Sequence, residues 1–274
     1  MLAPGMTVGG YRVERILGRG GMAEVYEATQ LCLDRPVALK VLAPEVRADA
    51  ELRERFRREG RAQAALEHPS VVPIYEAGEW DGTPFIAMRL VRGPTLKALV
   101  GTLDPPRALR LLGQVAAALD EAHGQGLVHR DIKPQNVLVA PPDRALLADF
   151  GLTRADRSGD PRLTRTGQLM GSIDYMPPEQ AQGEGTGPAG DRYAFACVAF
   201  ECLTGRLPYV RPVPAAVLFA HLTEPPPRPS EAGLPAALDD VFARGLAKDP
   251  AQRPATAREL ITHVAAALRV GAPA

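Results

Sequence analysis

The first third of the chain alternates apolar and polar residues, which is the pattern of half-buried β-strands. Residues 11–27 alternate on both sides of a cluster of glycines, so they predict a strand, a tight turn and a second strand. Further strands are predicted at residues 35–43, 71–77 and 83–91. Residues 49–66 differ, because their apolar side chains recur three or four positions apart and therefore predict an amphipathic helix.

Helical spacing replaces this alternation after residue 94. The clearest helix is predicted at residues 105–124, and two short strands are predicted at residues 137–139 and 145–148. Later helices are predicted at residues 191–204, 215–222, 236–246 and 255–268. A strand-rich part followed by a helix-rich part predicts an α+β fold of two lobes, with a β-rich N-lobe that contains one key helix and a mostly α-helical C-lobe.

The change of pattern also divides the chain into domains. We treat residues 1–10 as an N-terminal extension and residues 11–270 as one domain of two lobes. Within that domain, the N-lobe is predicted at residues 11–91 and the C-lobe at residues 94–270. Residues 89–93, where the strand pattern ends, are the predicted hinge.

Composition narrows the functional classes. The 274 residues are 46% hydrophobic and 23% charged, which is ordinary for a folded globular protein. The formal net charge is zero, so the chain lacks the excess positive charge that favours nonspecific binding to nucleic acid. We therefore expect no nucleic-acid partner.

Cysteine content and the length of apolar stretches bear on the cellular compartment. The three cysteines, Cys32, Cys197 and Cys202, are odd in number and lack metal-binding spacing, so a reducing compartment fits. No signal peptide is visible. The longest apolar stretch, residues 193–203, contains Glu201 and is far shorter than the ~20 residues of a membrane span. The expected location is the cytoplasm.

Four short motifs follow one another in a fixed order, and each suits one component of ATP chemistry. They are Gly18-Arg19-Gly20-Gly21, Val37-Ala38-Leu39-Lys40, His129-Arg130-Asp131 with Asn136, and Asp149-Phe150-Gly151. Glycines let the backbone approach phosphate groups, and a carboxylate oxygen suits a hard cation. A glycine cluster by itself more often marks a hairpin, but four motifs in this order make a chance match negligible.

The motif series resembles that of bacterial eukaryotic-type (Hanks-type) serine/threonine protein kinases. The resemblance extends over residues 11–268. It implies ATP and Mg²⁺ as cofactors, with Mn²⁺ as an alternative metal, and proteins with serine or threonine hydroxyls as substrates. Two positions depart from the family pattern, since Ala23 replaces the third glycine and Pro177 replaces the alanine of the Ala-Pro-Glu motif.

The resemblance implies a catalytic role for four residues. Asp131 would orient the substrate hydroxyl and accept its proton, and Lys133 would neutralise charge that develops on the transferred phosphoryl group. Lys40 would contact the α- and β-phosphates. Glu59 lies on the otherwise apolar face of the helix predicted at residues 49–66, where a carboxylate is costly unless it is paired, and Lys40 is its natural partner.

The resemblance also implies which residues bind ATP and the metal. Asn136 and Asp149 would hold magnesium. The nucleotide would contact the glycine motif, the strand that carries the lysine, the predicted hinge and one C-lobe strand. These residues are Leu17, Gly18, Gly20, Gly21, Val25, Ala38, Lys40, Met88, Arg89, Val91 and Leu138.

Residues 152–177 correspond to the activation segment of the related kinases, in which Thr164 and Thr166 are the expected autophosphorylation sites. Arg130 could hold a phosphothreonine through charge-assisted hydrogen bonds. The alternative is that both threonines are merely exposed in a flexible polar loop. Autophosphorylation between two copies would make a homodimer a partner of this chain.

Three residues of the predicted C-lobe have expected scaffold roles. Glu179 should pair with Arg253, and Asp191 should anchor the catalytic loop. Two other functions stay open: a pseudokinase that binds nucleotide as a scaffold, and a small-molecule phosphotransferase. The first would normally have lost one of the catalytic residues, and the second would lack the segment that ends at Glu179.

Many related kinases carry a membrane anchor outside the kinase domain. The resemblance therefore leaves two locations open, namely the cytoplasm or the cytosolic side of a membrane, as the catalytic domain of a membrane-anchored receptor kinase. No membrane span is expected within this sequence itself.

Overall fold

The computed structural model describes residues 2–20, 22–47, 49–150 and 173–270. These residues belong to two compact units. The first unit contains the described residues up to Arg92 together with Phe150, and the second contains the described residues from Gly93 to Asp149 and from 173 onward. The division after Arg92 falls within the segment predicted as the hinge.

The first unit is built on an antiparallel sheet and one helix. Its elements are β1 (Thr7–Val8), β2 (Tyr11–Arg19), β3 (Ala23–Gln30), β4 (Arg35–Leu42), α1 (Ala50–Ala64), β5 (Ile74–Trp80) and β6 (Thr83–Arg89). Within the described residues, the six strands are ordered β1-β2-β3-β4-β6-β5, and neighbouring strands are antiparallel.

Two details of this unit are not expected from the sequence pattern. Strand β1 lies within the segment predicted as the N-terminal extension, where it pairs with β2 and the side chain of Val8 is fully buried. A strand of two residues is too short to show alternation in the sequence. The strand predicted at residues 71–77 begins later, at the start of β5, and Val71 and Val72 are buried ahead of it.

The two faces of the sheet bury different groups. Alternate residues of a strand share a face, so Lys40 and Leu42 of β4 lie on the same side. That side carries the apolar group of Ala23, Leu42, Phe56 and Ile86, in which Phe56 belongs to α1. Lys40 is therefore on the sheet face that α1 packs against. The opposite face buries Val8, Tyr11, Val13, Tyr26, Ala28, Val37, Leu39, Val41, Phe85 and Ala87.

Helix α1 has a polar cap at its start and a packing constraint near its end. The Asp49 carboxylate accepts hydrogen bonds from two backbone amides of the first turn. Gly60 lets the helix approach the sheet, because a Cβ at this position would lie 3.1 Å from the side chains of Ala77 and Ile86. A glycine inside a helix lowers stability by about 1 kcal/mol relative to alanine. The close approach of α1 to the sheet is the physical reason why a glycine stands at this position.

The second unit is mostly helical. Its elements are α2 (Leu96–Leu99), α3 (Pro105–Gly124), β7 (Val137–Ala140), β8 (Arg144–Leu147), α4 (Pro178–Ala181), α5 (Pro188–Thr204), α6 (Pro214–Thr223), α7 (Ala237–Gly245) and α8 (Ala257–Val270). Strands β7 and β8 form an antiparallel pair. The sequence does not predict α2 and α4, because a helix of one turn shows no periodicity.

Helix α5 lies at the centre of this unit. Residues 193–200 are buried on all sides, as expected for a helix that is apolar around its whole circumference. Helices α3, α7 and α8 pack against it. Asp120 of α3 also caps α8, since its carboxylate accepts hydrogen bonds from the amides of Ala257 and Arg258 over 2.7 and 3.0 Å. The helices of this unit are therefore tied together by both apolar packing and a side-chain cap.

The predicted α+β class, with a β-rich part followed by a mostly helical part, is confirmed. Among the helices in the described ranges, none is both long enough and apolar enough to cross a bilayer.

Candidate active site

The loop between α3 and β7 brings three predicted site residues into direct contact. Asp131 Oδ2 lies 2.7 Å from the Lys133 ammonium and 3.1 Å from the side-chain amide nitrogen of Asn136. The same Asn136 amide also donates to the backbone carbonyl of Asp131 over 2.8 Å. The loop therefore holds a carboxylate, a cation and an amide in one cluster.

A buried aspartate on α5 fixes the backbone of this loop. Asp191 accepts hydrogen bonds from the backbone amides of His129 and Arg130, each over 2.7 Å, and from the His123 ring over 2.8 Å. Arg130 has a left-handed backbone with φ of 65°, which is unfavourable for a residue with a side chain. The bonds to Asp191 hold this conformation, so the structure supports the predicted anchoring role of Asp191.

His129 connects the loop to the strand that precedes Asp149. Its ring is fully buried, and burial lowers its pKa. Nε2 lies 3.0 Å from the carbonyl of Ala148 and must donate to it, whereas Nδ1 accepts from the amide of Asp131 over 3.3 Å. His129 is therefore neutral, and it ties Asp131 to the residue next to Asp149.

The two predicted metal ligands, Asn136 and Asp149, lie in neighbouring backbone segments. The amide of Ala148 donates to the carbonyl of Asn136 over 2.8 Å, and Asp149 follows with a left-handed φ of 55°. Because the Asn136 amide nitrogen donates to Asp131, the side-chain oxygen of Asn136 is the atom able to bind a cation. Within the described ranges, no group of three or more His, Cys, Asp or Glu side chains is placed to hold a metal by itself.

The catalytic loop also borders a surface pocket within the second unit. The segment that leads into α4 forms the other wall of this pocket. Asp131 and Lys133 line the pocket on the side of the loop between α3 and β7. The opposite side is lined by Tyr175, Met176, Pro177 and Gln180. The Asp131 carboxylate therefore borders a space with one polar wall and one mainly apolar wall.

Glu201 of α5 holds that second wall, a role that the sequence does not reveal. Its carboxylate is 2% exposed, accepts a hydrogen bond from the Tyr175 hydroxyl over 2.6 Å, and pairs with Lys97 of α2. The sequence signal is a single acidic residue inside the apolar stretch 193–203. Such a signal indicates a partner but does not identify it.

The predicted ion pair between Glu179 and Arg253 is present in the structure. The two groups meet through two hydrogen bonds of 2.7 and 2.8 Å, and the Arg253 side chain is 0% exposed. Arg253 also donates to the backbone carbonyls of Ala189, Ala247 and Lys248. All five N–H groups of this guanidinium are therefore bonded.

In the first unit, the strand register places several predicted nucleotide-binding residues on one face. Val25 is opposite both Gly18 of β2 and Lys40 of β4, and Ala38 is opposite Met88. Directly opposed residues share a face, as do the alternate residues Ala38 and Lys40. All five positions therefore lie on the side of the sheet that α1 packs against.

The other predicted nucleotide-binding residues lie at turns and strand ends. The amide of Gly20 donates to the carbonyl of Ala23 over 2.8 Å and so closes the turn between β2 and β3. The remaining positions are Leu17 in β2, Arg89 at the end of β6, Val91 just after β6, and Leu138 in β7 of the second unit.

Four of the predicted site residues lie wholly or partly outside the part of the chain that the structure describes. Gly21, Thr164 and Thr166 are not among the described residues. Glu59 lies in α1 directly before Gly60, and only its backbone is described. Contact between Glu59 and Lys40 therefore stays a prediction.

A buried polar cluster lies behind the segment that leads into α4. His221 of α6 is fully buried, with Nε2 3.1 Å from the carbonyl of Asp174 and Nδ1 2.8 Å from the Tyr193 hydroxyl. Lys248 donates to the carbonyl of His221 over 2.7 Å and to the Tyr209 hydroxyl over 3.0 Å. Burial, together with the nearby charge of Lys248, lowers the pKa of His221 to about 4.

We expect the protein to lose stability as the pH falls from 7 to 5. His221 has a pKa of about 4 when folded and an ordinary value of 6.5 when unfolded, so the unfolded chain binds more protons in this range. The free energy of unfolding should fall by about 2 kcal/mol from His221 alone. His129, whose pKa is also lowered, should add a loss of the same sign. Denaturant unfolding at pH 7, 6 and 5 measures this slope.

The variant His221→Gln is the control for this pH dependence. Glutamine does not titrate, so the variant should show a shallower loss of stability between pH 7 and 5 than the parent. An equal pH slope in parent and variant would contradict the role given to His221.

The sequence of this chain matches one protein family and is similar to three curated proteins. Residues 11–264 match the family described as the protein kinase domain. The chain is 45% identical over 262 residues to the serine/threonine-protein kinase PknD of Mycobacterium tuberculosis, covering 93% of this chain and 39% of PknD. PknH of Mycobacterium bovis is 44% identical, with 93% and 44% covered, and PknE of the same organism is 42% identical, with 96% and 47% covered.

A solved structure shows the same fold. The kinase domain of Mycobacterium tuberculosis PknI superposes with a TM-score of 0.75 and 35% sequence identity, covering 96% of this chain and 97% of that domain. The chain spans less than half the length of the three curated relatives it matches, but nearly all of the solved kinase domain.

Proposed function

This chain belongs to the protein kinase family and is of the serine/threonine type, and on that premise we propose that it transfers the γ-phosphoryl group of ATP to serine and threonine hydroxyls of proteins. Because the chain covers 39% of PknD and 47% of PknE, the activity, substrates and partners of the whole protein are part of this proposal. The observation that carries it is the cluster of Asp131, Lys133 and Asn136 beside the pocket.

Asp131 is the proposed catalytic base. Its Oδ2 is held by Lys133 and Asn136, so the carboxylate has a defined orientation at the pocket. In the proposed reaction, the substrate hydroxyl gives its proton to Asp131, its oxygen bonds to the γ-phosphorus, and the bond from that phosphorus to ADP breaks. Fixed placement of the base removes much of the entropic barrier of the transfer.

Lys133 is the proposed cation for the transferred group. Its ammonium lies 2.7 Å from Asp131, so it would be close to the oxygen that attacks and to the phosphoryl group that receives it. Positive charge at this place stabilises negative charge that develops on the phosphoryl oxygens in the transition state.

Asn136 and Asp149 are the proposed metal ligands. Protein kinases use ATP with a divalent cation, and we propose Mg²⁺ here, with Mn²⁺ as the alternative. The two residues offer an amide oxygen and a carboxylate, which are the hard donors that Mg²⁺ prefers, and few protein ligands are typical of Mg²⁺ bound with nucleotide phosphates. When bound, the cation would neutralise charge on those phosphates.

Lys40 and Glu59 are proposed to act together on the phosphates of ATP. Lys40 lies on the sheet face that α1 covers, and Glu59 is a residue of α1 next to Gly60, where an added Cβ would lie 3.1 Å from Ile86. Lys40 is directly opposite Ile86 in the sheet, so the register supports a Lys40–Glu59 ion pair. The pair would hold the lysine ammonium toward the α- and β-phosphates.

The adenine pocket is proposed at the positions that the family pattern gives. Val25, Ala38 and Met88 share the face with Lys40, which supports this placement within the first unit. The backbones of Arg89 and Val91 would bind the edge of the base. Leu17, Gly18, Gly20, Gly21 and Leu138 complete the proposed set.

We further propose that autophosphorylation at Thr164 and Thr166 activates the enzyme. Arg130 borders the same pocket as Asp131, so a phosphate paired with Arg130 would order the segment next to the base. After phosphatase treatment, activity should return with a lag during incubation with ATP. The double variant Thr164→Ala with Thr166→Ala should stay near the dephosphorylated rate, about tenfold or more below the activated parent.

The matched control replaces two exposed threonines elsewhere, Thr102 and Thr262, by alanine. Among the contacts described, each hydroxyl bonds only to a backbone carbonyl three or four residues earlier, so this variant should recover like the parent. The proposal is wrong if the parent shows no lag and the Thr164/Thr166 variant keeps full activity.

The proposed partners are protein substrates, ATP and, for autophosphorylation, a second copy of the chain. The neutral net charge does not support nucleic acid as a partner. We propose that catalysis takes place in the cytoplasm or on the cytosolic side of a membrane.

A phosphate-transfer assay tests the proposed function. The chain is incubated with ATP, Mg²⁺ and a generic basic protein, and the labelled residues are identified by acid hydrolysis. Label on serine and threonine supports the proposal. Nucleotide binding without transfer would instead indicate a scaffold, and label on a small metabolite without label on protein would indicate a small-molecule phosphotransferase.

A further inference from the structure

His221 makes a side-chain bond to the backbone of the pocket wall. Its Nε2 lies 3.1 Å from the carbonyl of Asp174, which is part of the peptide link to Tyr175. Tyr175 is the first residue of this segment to line the pocket. His221 itself is fully buried and is not part of the pocket.

The direction of these hydrogen bonds is set by their chemistry. A carbonyl oxygen only accepts, so Nε2 of His221 carries the hydrogen and donates to Asp174. The other nitrogen, Nδ1, is then an acceptor, and the Tyr193 hydroxyl donates to it over 2.8 Å. Tyr193 therefore selects the form of His221 that can bind the Asp174 carbonyl.

Helix α5 thus reaches both walls of the pocket. Asp191 holds the catalytic loop through the amides of His129 and Arg130. Two residues further on, Tyr193 acts through His221 on the opposite wall. Because Asp191 and Tyr193 belong to the same buried helix, their bonds link the spacing of the two walls to one element.

We propose that Tyr193 and His221 are positioning residues for the protein substrate. They hold the Asp174–Tyr175 peptide at a set distance from Asp131, and so they control how a substrate segment fits between the walls. The proposal rests on the proposed kinase function. It predicts that loss of the Tyr193 hydroxyl weakens the use of peptide substrate while the use of ATP stays unchanged.

The test compares Tyr193→Phe with three other variants. Tyr193→Phe keeps the buried ring and removes its hydroxyl, which is the donor to His221 and also interacts with the Tyr209 hydroxyl. His221→Leu removes the whole bond chain, whereas His221→Gln retains an N–H group that can reach the Asp174 carbonyl. Tyr11→Phe is the matched control, because it also deletes a buried hydroxyl, one that donates to Glu76 over 2.6 Å in the other unit.

Two measurements are made on each variant. Steady-state kinetics give the KM for a serine- or threonine-containing peptide and the KM for ATP separately. Hydrogen–deuterium exchange of the peptide that contains residues 173–177 reports the mobility of the pocket wall without any turnover. Tyr193→Phe should raise the peptide KM about tenfold and speed this exchange, with the KM for ATP unchanged, because one buried hydrogen bond is lost.

His221→Leu should show a larger change in the same two measurements, and His221→Gln a smaller one. The proposal is overturned if exchange at residues 173–177 stays at the parent rate, or if Tyr11→Phe reproduces the effect. It is also overturned if both KM values change together, since that pattern indicates general destabilisation. A parent that transfers no phosphate refutes the proposed function, and the exchange data then still show whether Tyr193 holds the wall.

Discussion

Asp131→Asn should abolish phosphoryl transfer and leave the fold intact. Asparagine keeps one side-chain oxygen that can accept from Lys133 and Asn136, as Asp131 Oδ2 does. The other carboxylate oxygen becomes an NH₂ group, which cannot accept the proton of the substrate hydroxyl. The barrier should rise by at least ~3 kcal/mol, which lowers kcat a hundredfold or more.

Lys40→Met and Asp149→Asn should each lower kcat by a similar factor, a hundredfold or more. Lys40→Met removes the proposed phosphate contact, and Asp149→Asn removes the proposed metal-binding carboxylate, whereas the base stays in place. Both variants should therefore also bind ATP more weakly than the parent. Titration with a fluorescent nucleotide separates the two effects, because Asp131→Asn should bind ATP like the parent.

Asp81→Asn is the matched control for this prediction. Asp81 is exposed in the turn between β5 and β6 with φ of 47°, a conformation that asparagine tolerates well. This variant should keep the parent kcat and the parent melting temperature. Near-normal turnover by purified Asp131→Asn would rule out the proposed mechanism.

Breaking the pair between Glu179 and Arg253 should destabilise the protein strongly. Both side chains are buried, and all five guanidinium N–H groups of Arg253 are bonded, so removal of Glu179 leaves a buried positive charge without its counterion. The expected loss is about 3–5 kcal/mol for either Glu179→Ala or Arg253→Ala. Thermal melting should show a drop on the order of 10 °C.

A double-mutant cycle tests whether this loss comes from the contact itself. The double variant should lose much less than the sum of the single losses, because the second change removes the charge that the first left unpaired. Simple additivity would contradict a stabilising contact. The partly exposed pair of Arg107 and Asp143, 2.9 Å apart, is the control, since solvent screens it more than the buried pair and its cycle should give no more than about 1 kcal/mol.

The elements with strong periodicity could be predicted from the sequence. Helix α3 has the predicted bounds, and β2, β3, β4 and β6 lie where alternation places them. The family resemblance singled out Asp131, Lys133 and Asn136, but their mutual contacts are seen only in the structure. The Glu179–Arg253 pair joins residues 74 positions apart, and its prediction depended on the family resemblance.

The sequence by itself determined the order of the longer helices and strands, because their periodicity is a short-range property, and its motifs identified the family and the local catalytic loop by resemblance. Only the tertiary structure decided which distant residues hold the pocket wall. Glu201 meets Lys97 from 104 positions away, and His221 meets Asp174 from 47 positions away. A buried polar group must find a partner, but packing selects which one, and no local pattern in the sequence records that choice.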